Sequence, residues 1–282
     1  MPGALRAPPA VASFRMPRPS VRPTLLGVPF DAESSFARGA ALAPAAVRAA
    51  YASASTNTWS ESGLDLATLL EDAGDVDCTG DHAAIRDRIS ARVAELVAEG
   101  CRPIALGGDH SVSFPLVRGL APPRDVTIVH VDAHPDLYPD YEGNRFSHAC
   151  PFARILEAGL ASRLVQVGIR TMSGAQRATA ERFGVEVIDM PTWARGARPA
   201  VRGPVYLSID LDGLDPAFAP GVSHPEPGGL STREVITLIQ SLDGPILAAD
   251  VVELNPTFDT RDLTARVSAK LVKEIAARML DA

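Results

Sequence analysis

The sequence is short of cysteine. Its three cysteines, Cys78, Cys101 and Cys150, are widely separated and form no C-x-x-C pair. That spacing excludes a disulfide framework and a thiolate metal site, and it sets the expectation of a reducing cytoplasm. Long apolar runs are missing too: none approaches the roughly 18 to 20 residues that span a bilayer, so no membrane partner is expected. There is no excess of basic charge. Lys and Arg number 27 against 34 Asp and Glu, a formal net charge of -7, which argues against a nucleic-acid surface and favours small cationic ligands. The first 23 residues contain no acidic residue, only Arg6, Arg15, Arg18 and Arg22. Their composition resembles that of a transit peptide. Pro8, Pro9, Pro17 and Pro19 would break the amphipathic helix such a peptide needs, and no apolar core of a secretion signal is present. Residues 1–23 are therefore expected to form a flexible surface arm outside the fold.

What remains is enough for one large domain, 24–282, with a sizeable core: 46% of the chain is hydrophobic and 22% charged. Apolar strand-like runs alternate with helix-like segments from residue 24 onward, the pattern of successive βαβ units that build a mostly parallel sheet. Strands are expected over 25–28, 103–106, 126–131, 164–167, 185–188, 205–209 and 246–252. Helices are expected over 44–50, 82–99, 111–119, 152–157, 174–183, 232–242 and 263–280. The 82–99 segment is typical, with Ile85, Ile89, Val93, Leu96 and Val97 at helical spacing and Gly100 to end it. No internal repeat or linker divides the chain.

Residues 130–136 (HVDAHPD) carry the densest chemistry. They follow an apolar run, Val126 to Val129, suited to a strand buried on both faces. In an extended chain Asp132, His134 and Asp136 would point to one side, and Pro135 prevents a helix from starting there. Read alone, this is either a polar loop or a row of metal ligands. Two other strand ends bear on the choice: residues 107–111 (GGDHS) contribute His110, and residues 210–212 contribute Asp210 and Asp212. The carboxyl ends of strands in an open parallel sheet are where ligands bind, so the three clusters could share a crevice. Four carboxylates crowded there would repel one another, and two divalent cations would balance them. Oxygen and imidazole donors without thiolate suit Mn²⁺, with other divalent ions open. Such a pair of ions activates a water to attack an electrophilic carbon, which is hydrolase chemistry.

Four stretches, 107–111 (GGDHS), 132–136 (DAHPD), 208–216 (SIDLDGLDP) and 253–256 (ELNP), occur in the order and spacing of the ureohydrolase signatures. From about residue 26 to the C-terminus the chain resembles that family, the arginases, agmatinases and their relatives. Residues 142–149, 219–230 and 249–253 look most like the plant-type arginases.

The resemblance implies a three-layer α/β/α sandwich with two Mn²⁺ ions per chain and a homo-oligomer, a trimer or hexamer. It implies that His110, Asp132, Asp136 and Asp210 hold one ion and Asp132, His134, Asp210 and Asp212 the other. Glu253 matches the carboxylate that anchors the guanidinium, and His148 the histidine that passes a proton to the leaving amine. Asn144, Ser147 and His224 lie in loops that could touch the far end of the substrate. Ala149 and Cys150 depart from the usual family sequence after the histidine; Cys150 reads as a small residue opening a helix, and Asp109 and Asp215 as turn-forming neighbours. The expected reaction is cleavage of a guanidino group to release urea, from L-arginine or alternatively from agmatine or a shorter guanidino acid. A deacetylase-like amidohydrolase and a non-catalytic metal-binding protein are the alternatives outside this chemistry.

Overall fold

Alternation of apolar runs with amphipathic ones produces, among the described residues, eight strands and eight α-helices. The strands are β1 Arg22–Gly27, β2 Glu71–Asp75, β3 Cys101–Leu106, β4 Thr127–Val131, β5 Arg163–Ile169, β6 Glu186–Asp189, β7 Val205–Asp210 and β8 Ile246–Val252. The helices are α1 Ala43–Tyr51, α2 His82–Ala98, α3 Ser113–Leu120, α4 Pro151–Glu157, α5 Gly174–Phe183, α6 Met190–Ala194, α7 Thr232–Ser241 and α8 Leu263–Leu280. The computed structural model describes residues 21–123 and 125–281. The arm expected over 1–23 lies outside them as far as residue 20, while Arg22 and Pro23 already belong to β1.

All the strands pair in parallel, in the order β2-β1-β3-β8-β7-β4-β5-β6. Side chains alternate across the sheet with the two-residue period of a strand. Leu207 and Ile209 of β7 join the core beneath α1, α6, α7 and α8, while Tyr206, just before them, faces the core beneath α2, α3, α4 and α5. A helical layer on each face makes the α/β/α sandwich that sequence alternation anticipates.

Two elements escape the sequence reading. Strand β2 (EDAGD) is an edge strand without apolar alternation, and Arg48 of α1 pairs with its Asp72 and Asp75 at 2.8 and 2.5 Å. Helix α6 is five residues long, too short to show a period, and is started by the Asp189 carboxylate accepting from Thr192 N at 2.8 Å. The helix expected from residue 111 begins instead as a 3₁₀ turn, His110–Val112, before α3.

The apolar alternation is interrupted at one level of the sheet. Gln166, His130, Ser208 and Asp250 stand in register on neighbouring β5, β4, β7 and β8, all completely buried. Ser208 Oγ donates to Asp250 at 2.6 Å, and Ser113 Oγ of α3 donates to the same carboxylate at 2.8 Å. A polar row of this kind survives burial because nearly all its polar atoms find partners within the row or beside it, Gln166 Oε1 being the one left without.

Candidate active site

The four central strands, β3, β8, β7 and β4, are neighbours in the sheet, and each ends in a group able to bind a ligand. His110 opens the turn after β3, Asp132 follows β4, Asp210 is the last residue of β7, and Glu253 follows β8. The glycines before His110 allow a close approach: a side chain at Gly108 would sit 1.6 Å from the Phe30 carbonyl oxygen.

The extended row expected for Asp132, His134 and Asp136 is not how these residues meet. Strand β4 stops at Val131, Asp132 Oδ1 accepts from His134 N at 2.6 Å, and Asp136 has φ 49° in the left-handed region. An aspartate that bonds the backbone two residues on makes a turn, and the turn, not strand alternation, folds the three side chains back on one another. The same device recurs where Asp210 Oδ1 accepts from Asp212 N at 2.8 Å and Asp109 Oδ1 from Ser111 N at 3.1 Å. Glu253 also has a positive φ, 64°. Strained backbone at these two carboxylates is the kind that accompanies functional sites.

A short chain of hydrogen bonds orients His110. Ser208 gives its only hydroxyl proton to Asp250, so it accepts from His110 Nε2 at 2.9 Å. In the neutral ring that leaves Nδ1 with a free lone pair, buried and without a hydrogen-bond partner. Three carboxylate oxygens surround it, from Asp132 at 3.1 Å, Asp136 at 3.0 Å and Asp210 at 3.1 Å. Neighbouring donors of an octahedral ion with bonds of about 2.1 Å stand about 3.0 Å apart. The donor set therefore fits a divalent metal ion, and its electrostatics agree. Although burial opposes a proton on His110, the three aspartates hold its pKa well above the ordinary histidine range. Burial and the charges of Asp212 and Asp132 push Asp210 well above the carboxylate range. A nest that attracts protons this strongly attracts cations for the same reason.

Beside it, Asp132, His134 and Asp212 form a second group able to hold a metal, with His134 Nδ1 3.1 Å from Asp212 and 3.5 Å from Asp132. Burial and the charge of Asp132 push Asp212 up to about 7. Burial disfavours the His134 imidazolium, but Asp212 and Asp132 push it up to about 12.

His130, which the sequence reading passed over, also lies close enough to Asp132 and His110 to join a metal group. Its hydrogen bonds give it different work. Gln166 Nε2 donates to Pro135 O at 2.6 Å, which fixes the amide orientation and turns its other proton toward His130 Nδ1 at 3.0 Å. Nε2 then carries the imidazole proton and donates to Asp132 Oδ2 at 2.7 Å. His130, stacked on Phe152 with ring centroids 3.9 Å apart, thus aims the carboxylate that faces both groups. Its signal was present in the sequence: it lies two residues before Asp132, on the same face of an otherwise apolar strand.

Glu253 and His148 close one side of the crevice. Glu253 Oε1 accepts from His110 N at 2.9 Å and from His148 Nδ1 at 2.9 Å. Burial alone would raise the Glu253 pKa, but His148 and the His110 amide hold it below the usual range. Burial works against the His148 proton, yet the Glu253 charge outweighs it and pushes the imidazole up to about 9. On its other edge, His148 Nε2 meets Ser35 Oγ at 2.8 Å.

A cavity of about 340 Å³ opens over these groups, lined in part by Ser35, His134, His148, His224, Tyr138 and Tyr141. Asn144 and Ser147 line a shallower depression next door. Asn144 Nδ2 donates to Glu33 at 2.6 Å and its Oδ1 accepts from Phe146 N at 2.8 Å, so its side chain braces the loop. Cys150 caps α4 from inside the core, with burial pushing its thiol up to about 12.

Comparison with known proteins follows this geometry. The model of the arginase family matches residues 22–277. The mitochondrial arginase of Medicago truncatula is 48% identical over 277 residues, covering 91% of this chain and 81% of its own. The mitochondrial agmatinase of Gallus gallus is 34% identical, covering 89% and 78%. The solved structure of the Medicago truncatula arginase superposes with a TM-score of 0.87 at 46% identity, over 93% of this chain and 88% of that one. The organellar names of these plant relatives overturn the expectation of a cytoplasmic protein. That expectation rested on unpaired cysteines, and thiols stay reduced in any reducing compartment, so cysteine usage cannot choose among them. Among the described residues no helix is long and apolar enough to cross a membrane. With a family model over nearly its whole length, and the fold and the site's donor set in agreement, the chain belongs to the arginase family of ureohydrolases.

Proposed function

We propose that the protein hydrolyses L-arginine to L-ornithine and urea, with residues 24–282 as a single catalytic domain. The observation that carries this reading is the ring of carboxylates around the bare His110 Nδ1, with Glu253 fixed beside it. His110, Asp132, Asp136 and Asp210 would hold one ion, and Asp132, His134, Asp210 and Asp212 the other, so Asp132 and Asp210 serve both. Mn²⁺ suits the oxygen and imidazole donors, as the family resemblance also implies. Two divalent ions, when bound, supply charge balance for the aspartates and an activated water. Glu253 accepts hydrogen bonds from the guanidinium and holds its carbon over the cluster. His148, bonded to Glu253 at 2.9 Å, stands beside the departing nitrogen and gives it a proton. A homo-oligomer is the expected assembly.

Arginine and agmatine present the same guanidinium, so the choice between them falls to the cavity mouth, where His224, Tyr138 and Tyr141 stand. A site that bonds the α-amino and α-carboxylate groups rejects a substrate without them, because its own polar groups are then left unpaired. The relatives at 46 to 48% identity are named arginases, and the agmatinase of Gallus gallus is more distant at 34%. The test is kcat/KM for arginine, agmatine and 4-guanidinobutyrate, measured in parallel with added Mn²⁺. Arginine is expected to lead. A preference for agmatine above about tenfold would replace the substrate and keep the ureohydrolase reading; no urea from any of the three would remove both.

A further inference from the structure

The loop between β1 and α1 reaches into the active site at one residue, Ser35, and is fastened at nearly every position around it. Asp31 Oδ2 accepts from Gly39 N at 2.7 Å and from Ala41 N at 3.2 Å, which closes the loop on itself. Asp109 Oδ2, from the turn after β3, accepts from Glu33 N at 3.0 Å. The buried Glu33 side chain is held by His82 at 3.0 Å, by Arg86 at 3.4 Å and by Asn144 at 2.6 Å, and its carbonyl accepts from His148 N at 3.2 Å. Gly39 cannot carry a side chain, because a Cβ would meet Asn255 at 2.1 Å. The bracing fixes the course of the loop. Its result is that both the Ser35 hydroxyl, at 2.8 Å, and the Ser35 backbone N–H, at 3.2 Å, converge on His148 Nε2.

We propose that Ser35 is the positioning residue of His148: its two polar groups hold Nε2 whether or not that nitrogen carries a proton, keeping Nδ1 turned toward Glu253. A backbone N–H can only donate, so it serves the neutral ring with Nε2 unprotonated. A hydroxyl either donates or accepts, so it also serves the imidazolium. A histidine that gains and loses a proton each turnover therefore keeps a partner throughout. Without the hydroxyl, the protonated ring faces an N–H it cannot bond and turns away from Glu253.

The inference rests on the proton-transfer role given to His148 above, and a double-mutant cycle tests it. Ser35→Ala should lower kcat about two- to tenfold, the worth of one modest hydrogen bond, with KM and metal content unchanged. In a His148→Ala background the same substitution should cost nothing more. Ser35 is exposed, so the variant keeps its fold. An unchanged kcat, or an equal loss in both backgrounds, overturns the proposal. A readout independent of turnover is the histidine ¹⁵N spectrum of zinc-loaded protein, with the His148 signals assigned from their absence in His148→Ala. Ser35→Ala should shift Nε2 of His148 more than any nitrogen of the other histidines, and an unmoved Nε2 overturns the proposal. Absence of urea release by the wild-type protein would remove the functional reading alone, leaving the spectra to decide the position of the ring.

Discussion

At the floor of the cavity, His110, Asp132 and Asp210 are at most 3% exposed and stand on strand ends or the first turn beyond them. At its rim, Tyr138, Tyr141 and His224 ride on loops and keep contact with solvent. Floor residues are fixed by sheet register and by short aspartate turns, both local to the motif that carries them. Rim residues are fixed by tethers between distant stretches, such as Asn144 to Glu33 across 111 residues. On the function proposed above, the floor meets what every substrate of this class shares, a guanidinium carbon, and the choice between substrates is left to the rim. A protein built this way can change its substrate without touching its chemistry, and the variants below test whether the division holds.

The sharpest break belongs at the floor. Asp210→Asn takes a charge from a carboxylate assigned to both ions, and should remove most bound metal and lower kcat/KM roughly a thousandfold or more. Elemental analysis with steady-state kinetics reads it; two metals per chain with near-normal turnover would show that Asp210 serves neither ion. His148→Ala, where floor meets rim, should lower kcat by roughly ten- to ten-thousand-fold and leave metal content intact, since a proton donor is lost and no ligand. Metal loss in that variant would move His148 into the floor. His130→Ala, one layer beneath, should weaken metal binding by about 10- to 100-fold, as expected when the group orienting a ligand is removed. A titration with Mn²⁺ against a competing chelator measures it, and activity at saturating metal should largely recover. The smallest change is expected at the rim brace. Asn144→Ala should cost about 1 kcal/mol of stability and shift KM or kcat only a few-fold, with metal affinity unaltered. A large loss of metal there would mean that floor and rim are one unit.

The same division governs what sequence reveals. GGDHS, DAHPD and SIDLDGLDP are contiguous, so the six candidate ligands are legible as residue types at strand ends, and the parallel sheet follows from apolar alternation. Even there, the reading of Asp132, His134 and Asp136 as an extended row missed the turns that bring them together. Strand β2 was invisible because an exposed edge strand can be acidic, and α6 because five residues carry no period. Ser35 could not be found from its neighbours. Its meeting with His148 spans 113 residues and depends on Asp31, Glu33 and Asp109 acting together. Asn144 shows the converse: a polar loop residue near the site reads as a substrate contact until its two hydrogen bonds are seen to be spent on the loop.

The buried polar row beneath the site has a consequence for how the molecule assembles. Gln166, His130, Ser208 and Asp250 find their partners only if four strands from distant parts of the chain align to the residue. A slip of one residue in any of them would turn its polar side chain to the opposite, apolar face and strand its partners without hydrogen bonds. Misaligned sheets are thereby penalised at the very level where His110 and Asp132 must be aimed. The row couples correct strand register to the geometry that the residues above it require.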